Sequence, residues 1–294
     1  DGIWDEGDAL VFWAQGPDRI AYNPGTSAWE HLRHPYEDKA WYFLAIDQEQ
    51  EASRITAAPV LSELPDSVVN RYCNVQFHEQ ELESPNRSGR EWFGESFGTI
   101  NQRTFEFSTP YPTEEAAKVS ARFAAQSMGV QSTFSVVSGE IQFEASPSYT
   151  SSTSTSNVAN LASASGVGVA ATQFGLDADD ALLSVEVGFD KGVSTAIGWL
   201  DYLLVEQPCH LKFDGTPFSF SFPGGNGGVT ESQLLSNQEG VRVWDITDGS
   251  QPREIQLMPM DGGVKWSFES DTTRAYVAFG QSAFSKPSFS GLVA

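Results

Sequence analysis

The sequence predicts an all-β protein: a jelly-roll-like β-sandwich inserted in, or following, a second and smaller β-domain. Three observations carry this reading. Short alternating or aromatic runs of strand length recur along the chain, bounded by Gly, Pro, Asn and Asp. No helical pattern is long enough to organise a fold. Aromatic residues make up 12% of the chain, with 20 Phe and 8 Trp, which is core-building content and excludes a disordered chain.

In chain order the strand-like runs are Ala9 to Trp13, Trp41 to Ile46, Thr104 to Ser108, Ala181 to Phe189, Phe218 to Phe222, Val241 to Trp244, Val264 to Phe268 and Arg274 to Phe279. Two further runs also admit a helical stripe. In Ala116 to Met128, Ala, Lys and Arg favour a helix, yet Val119, Ala121, Phe123 and Ala125 alternate with Lys118, Ser120, Arg122 and Ala124, so a strand is the better reading. In Val68 to Phe77, the alternation of Cys73, Val75 and Phe77 again favours a strand. Ser146 to Ser165 is Ser/Thr/Ala-rich with few large apolar side chains and reads as a flexible surface excursion. Short helices are expected at Thr113 to Ala117 and at Glu231 to Ser236.

At 294 residues the chain has room for about two domains. Asp18 to Asn23 and Val241 to Asp245 form a weak internal echo, each followed by an aromatic run. An N-terminal piece of this size cannot bury its aromatic residues alone and needs a partner sheet, which the C-terminal residues can supply. The expected organisation is a split β-domain, 1–64 with 214–294, around an inserted sandwich at 65–213; separate small β-domains in series are the alternative. The ends at Asp1 and Ala294 read as cuts from something longer, and no apolar run is long enough to span a membrane.

With 17 Lys+Arg against 39 Asp+Glu, the formal charge is 17 − 39 = −22, which repels nucleic-acid phosphate and makes nucleic acid a poor partner. The acid is spread along the chain, as in a bland acidic surface or in a protein kept soluble by strong salt. Candidates for chemistry are few. His78-Glu79 opens like a zincin helix but lacks the second His, so no metal is expected there. His31 and His34 read as solvated polar residues. Cys209 and His210 are neighbours, but on a strand adjacent side chains point to opposite faces, which argues against a nucleophile–base pair. Cys73 and Cys209 lie near the two ends of the proposed sandwich, where first and last strands often pair. They are either a disulfide or two buried thiols. Acidic strings at Asp1 to Asp8 and Asp177 to Asp180 read as turn acids, with a structural calcium as the alternative. Pro223 to Gly228 is no phosphate loop and reads as a mobile turn. No cofactor is expected, and no catalytic constellation can be assembled. Exposed Trp or Tyr on a sandwich would suit a sugar-stacking platform, making a carbohydrate-binding or adhesive module the alternative function.

Several strings, in order, resemble the non-catalytic region upstream of the peptidase domain in gingipain-type cysteine peptidases, nearest to the sortases of type IX secretion. They are Gly7 to Arg19, Tyr22-Asn23-Pro24, Tyr36 to Leu44, His78-Glu79, Ser88 to Phe97 with its Arg90, Glu91, Trp92, Gly94 and Glu95, then Trp199 to Tyr202 with Asp201, and Val243 to Asp248 with Trp244 and Asp245. Each string also has a plain physical reading. Gly89 and Gly94 turn the chain, Trp92 and Phe93 plug the sandwich edge, and Arg90 pairs with Glu91 or Glu95. The resemblance implies an accessory region of a surface peptidase whose catalytic His and Cys lie beyond residue 294. It also implies partners in that peptidase domain and in secreted cargo, and an extracytoplasmic location at the cell surface or outer membrane, where a disulfide is tolerated. No family catalytic residue maps onto this sequence.

Overall fold

The computed structural model describes residues 9–34, 36–44, 54–87, 89–154, 158–173, 181–225, 227–280 and 284–288. Among these the fold is all-β, with no helix. The chain divides into two compact units, one made of the residues up to Asn70 together with those from Leu211 onward, the other of Arg71–His210. Ahead of the second unit come β1 (Arg19–Asn23), β2 (Ala28–Leu32), β3 (Thr56–Ala57) and β4 (Ser67–Val69).

The unit Arg71–His210 is a sandwich. It contains β5 (Arg71–Glu79), β6 (Ser96–Phe97), β7 (Gln102–Ser108), β8 (Ala117–Gln126), β9 (Thr133–Ser138), β10 (Ile141–Ala145), β11 (Asn160–Gly168), β12 (Thr172–Gln173), β13 (Leu182–Asp190) and β14 (Ile197–His210). One sheet has the order β11-β8-β14-β5, with β6 on the start of β14; the other runs β10-β9-β13, with β7 and β12 also on β13. All these pairings are antiparallel. The nesting is that of a jelly roll: β5 with β14, β7 with β13, β8 with β11, and the hairpin β9–β10 at the centre. Arg71 pairs with His210, so the unit begins and ends at one place.

Alternation sets the core. Val119, Ala121, Phe123 and Ala125 of β8 meet Leu183, Val185, Val187 and Phe189 of β13 in one apolar cluster with Leu200, Leu203 and Val205 of β14. An aromatic brace joins the sheets. Phe134 stacks on Phe123 at 4.1 Å and 9°, meets Phe97 edge-on at 5.5 Å, and lies 4.5 Å from Phe189. Gly198 makes room for it, since a Cβ there would sit 2.4 Å from Phe134 Cζ.

The closing strands are β15 (Lys212–Phe213), β16 (Phe218–Phe222), β17 (Val229–Ser236), β18 (Arg242–Asp245), β19 (Arg253–Glu254), β20 (Met258–Met260), β21 (Gly263–Glu269) and β22 (Arg274–Phe279). They form two five-stranded sheets, each of which takes in one N-terminal strand: β4 lies parallel to β17, and β3 parallel to β19. Between these sheets Phe222 stacks on Phe268 at 5.2 Å, and Tyr276 meets Trp266 edge-on at 5.5 Å. The echoed pieces differ in setting, because β1 pairs with β2 in a hairpin whereas β18 sits between β22 and β19.

Several local expectations are corrected. Glu231 to Ser236 is part of β17: Glu231 is bound by Gln233 Nε2 at 2.8 Å and by Lys265 Nζ of β21 at 3.0 Å, partners a helix would not face. Residues 113–117 contain no helix, and Ala117 opens β8. The Ser-rich excursion stops at β11, whose small inner residues are required because a Cβ on Gly166 would come within 2.9 Å of Phe143 and Ile141. Ala9 to Trp13 forms no strand, although Val11 and Trp13 pack on the Trp244 cluster. Trp41 to Leu44 also pairs with nothing as a strand, and the remainder of that run lies outside the described residues. The Pro223 to Gly228 loop is tethered, with Gly225 N–H donating to Ser270 O and Ser270 Oγ to Gly227 O at 2.7 Å.

Candidate functional site: a bulged corner of the sandwich

The strings at 78–97 and 199–202 meet at the start of β14. Phe93 exchanges backbone hydrogen bonds with Glu83, Gly94 N–H donates to Leu200 O at 2.7 Å, and Leu200 N–H donates to Glu95 O at 3.0 Å. These bonds satisfy backbone groups on β14's edge that β5 does not reach. Gly89, at φ 68°, makes the turn into this segment. Phe93 is buried with Ala124, Ala159 and Trp199, and Trp199 Nε1 donates to Glu83 Oε2 at 2.7 Å. Gly94 lies 3.4 Å from both Gln80 and Leu200 O, measured from where a Cβ would be. Phe93 thus plugs the edge as expected, but Trp92 is 43% exposed.

The register of β14 on β8 slips between Leu200, opposite Phe123, and Tyr202, opposite Arg122. Asp201 is the extra residue of this β-bulge, and the slip puts Asp201 and Tyr202 together on the outer face beside Arg122. Asp201 is 7% exposed and accepts a salt bridge from Arg122 Nη1 at 3.0 Å. Glu91 approaches the same guanidinium at 3.7 Å. Burial pushes the Asp201 carboxyl up to about 6; Arg122 opposes the rise, and Glu79 and Glu81 add to it. Burial also raises the Tyr202 phenol.

On the other face His78 Nε2 donates to Glu95 Oε1 at 2.8 Å, and the His78 ring lies 4.8 Å from Phe105. Burial raises the Glu95 carboxyl, but the His78 hydrogen bond, its own backbone N–H and the charges of His78 and Arg103 outweigh this, leaving it below the ordinary value. The stability Glu95 contributes is therefore present above the unfolded carboxylate pKa and is lost as pH falls through the folded one. Glu95→Gln is expected to lower stability by about 1–2 kcal/mol at pH 7, with the difference shrinking toward pH 3; chemical denaturation at both pH values checks this.

The two thiols lie on adjacent paired strands. Cys209 faces Tyr72 and Cys73 faces Pro208 across the β5–β14 ladder, so the two side chains point to opposite faces of the sheet, an arrangement a disulfide does not bridge without backbone movement. Both are thiols in the structure. Burial first, and then Cys73, pushes the Cys209 thiol up to about 12, the reverse of what an attacking thiolate needs. Without reductant, Cys209 of the native chain is expected to resist a thiol reagent and to react once guanidinium unfolds it. Fewer than two thiols titrating in guanidinium would show a bond instead.

The remaining motif residues are held by packing. Trp244 is buried with Val277 and Phe279, and Arg242 lies over both aromatic rings while forking onto Glu254 at 2.7 and 2.9 Å. Asp245 Oδ1 accepts the Thr247 N–H at 2.9 Å, closing the next turn. His34 Nδ1 accepts the Glu37 N–H at 2.9 Å, and His31 lies 3.8 Å from Asp18. Among the described residues no three His, Cys, Asp or Glu converge as metal ligands; Asp1 to Asp8 and Asp177 to Asp180 lie outside them. Glu81, Glu83 and Arg122 belong to this corner but lie in no recognisable string, because the pairing of β14 with β8 and β5 and the Glu83–Phe93 bridge bring them together.

Fold and corner together define a jelly-roll sandwich whose most specific strings serve strand closure and packing. No protein-family model matches the chain, and no curated protein matches it by sequence. Among solved structures it is similar to dimeric latent PorU from Porphyromonas gingivalis, with a TM-score of 0.73 and 18% identity over 95% of this chain. That likeness shows a PorU-like fold. It covers 27% of the PorU chain, so the sequence corresponds to about a quarter of that protein's length. No helix among the described residues is long and apolar enough to cross a membrane.

Proposed function

We propose that this chain is the β-rich accessory region of a gingipain-like cysteine peptidase of the type IX sortase kind. In this reading it scaffolds the peptidase domain at the cell surface and helps present secreted cargo, and contains no cutting machinery of its own. The similarity to PorU over 95% of the chain carries the proposal. The placement of Gly94, Glu95, Trp199 and Asp201 in strand closure supports it. The division of labour proposed is an inserted sandwich at 65–213 and a split domain from the flanks. The purified chain, assayed on peptide and cargo-signal substrates, is expected to give no turnover. Turnover abolished by Cys73→Ala or Cys209→Ala would overturn the reading.

A glycan-binding module is the second reading, favoured by Trp41 and Trp92, which are 61% and 43% exposed. A glycan array separates the two: binding lost on Trp41→Ala or Trp92→Ala supports the module, and no binding removes it.

A further inference from the structure

We propose that the apolar run Trp41-Tyr42-Phe43-Leu44 is the surface on which this chain holds the peptidase domain of its own polypeptide. The proposal rests on the accessory-region reading and gives that reading a contact surface.

The strings at 78–97 and 199–202 are accounted for by strand closure, whereas those at 7–19, 36–44 and 243–248 meet elsewhere. Val11 and Trp13 pack against the cluster of Trp244, Val277 and Phe279. Two residues beyond Trp13, Gln15 N–H donates to Tyr42 Oη at 2.6 Å, and Tyr42 Oη donates back to Gln15 O at 2.6 Å. The Phe12 and Tyr42 rings lie 5.8 Å apart. Tyr42 thus ties the run to a stretch that is itself packed on an aromatic core, so the run is positioned before any partner arrives, which lowers the cost of binding.

The tethered run buries little of itself. Trp41, Tyr42, Phe43 and Leu44 are 61%, 50%, 79% and 77% exposed. Odd and even members alike are bare, unlike a half-buried strand, in which one of the two sets is covered. Three rings, each with about 150–250 Å² to bury, and a leucine, all at least half exposed, make a patch of the size that marks an interaction site.

The same chemistry selects the partner. The run carries no charge, and in a chain of net charge −22 it meets anionic lipid or nucleic acid against repulsion. Adjacent Trp, Tyr and Phe match the core of a protein interface, where charged residues are depleted. A patch this apolar suits a permanent partner, because transient interfaces are about as polar as ordinary surface whereas obligate ones resemble a core cut in two. For an accessory region the permanent partner is the domain to which it is linked. The likeness to PorU covers 27% of that chain, so a protein of that kind has most of its length outside this region.

Hydroxyl-radical footprinting of this chain and of the full-length protein that contains it tests the proposal, with Trp244, buried in the chain, as the internal reference. Oxidation of Trp41, Tyr42 and Phe43 is expected to fall at least about fivefold in the full-length protein, equally at low and high protein concentration, because the core of such an interface excludes water. Trp41→Ser with Phe43→Ser should leave the circular dichroism of the chain alone unchanged, since both rings are largely exposed there. In the full-length protein it should return Tyr42 to the reactivity it has in the chain alone, because a few aromatic anchors carry most of an interface. A full-length protein without a peptidase domain overturns the accessory-region reading and this proposal together. Three results overturn the proposal alone: a folded peptidase domain with the run as reactive as in the chain alone, protection that grows with concentration and so comes from a second copy, or protection that survives the double substitution.

Discussion

Arg122→Ala is expected to destabilise the sandwich by about 2–3 kcal/mol at pH 7, whereas Asp201→Asn is expected to stabilise it there. The bulge buries Asp201 beside the Arg122 guanidinium and within reach of the Glu79 and Glu81 charges. Removing Arg122 leaves a buried carboxylate facing like charges. The estimate is held below the range for fully buried pairs because the Arg122 side chain is 35% exposed. The pH dependence follows from the same corner. Asp201 rises from 3.8 unfolded to about 6 folded, so between these values the folded state holds a proton the unfolded state has released. Its contribution to stability is full below about pH 4 and is lost as pH rises through 6, a span worth at most about 3 kcal/mol. Asp201→Asn removes this loss. Urea unfolding across pH 4 to pH 8 should therefore show the variant gaining about 1–3 kcal/mol on the parent at the upper end and little at the lower.

Phe134→Ala is expected to cost about 3–5 kcal/mol, the largest effect of any single truncation considered. Phe134 is fully buried and contacts Phe123, Phe97 and Phe189, so its removal opens a cavity where the two sheets are braced. Packing there is tight from both directions. Gly198→Val, which adds volume 2.4 Å from the Phe134 ring, should also destabilise, by about 1–3 kcal/mol or more. Chemical denaturation of both variants checks the pair.

What was legible in the sequence followed from local alternation. The runs Phe218 to Phe222 and Arg274 to Phe279 are strands with those bounds. Ala117–Gln126 is a strand because Val119, Ala121, Phe123 and Ala125 all face one core, a periodicity that outweighs the helix propensity of Ala, Lys and Arg. Features set by a distant partner were not legible. β11 has a loop-like composition, and its small residues make sense only under Phe143 and Ile141. Glu231 reads as a surface helix residue until Lys265 of β21 is placed against it. The sequence marks the corner only in part. Glu95, Trp199 and Asp201 stood out as strings, but the bulge that aims Asp201 at Arg122 is a property of the register between two strands far apart in sequence. Trp92 reads as a plug beside Phe93, yet the pairing of Phe93 with Glu83 turns only one of the two rings inward.

Hydrogen exchange at the amides of Phe93, Gly94 and Leu200 tests most directly whether the motif segment is architecture. If these N–H groups close the edge of β14, they exchange as slowly as the inner amides of β8 and β14, opening only when the sandwich unfolds. Exchange at the rate of an open loop, with the sandwich otherwise intact, would contradict the account.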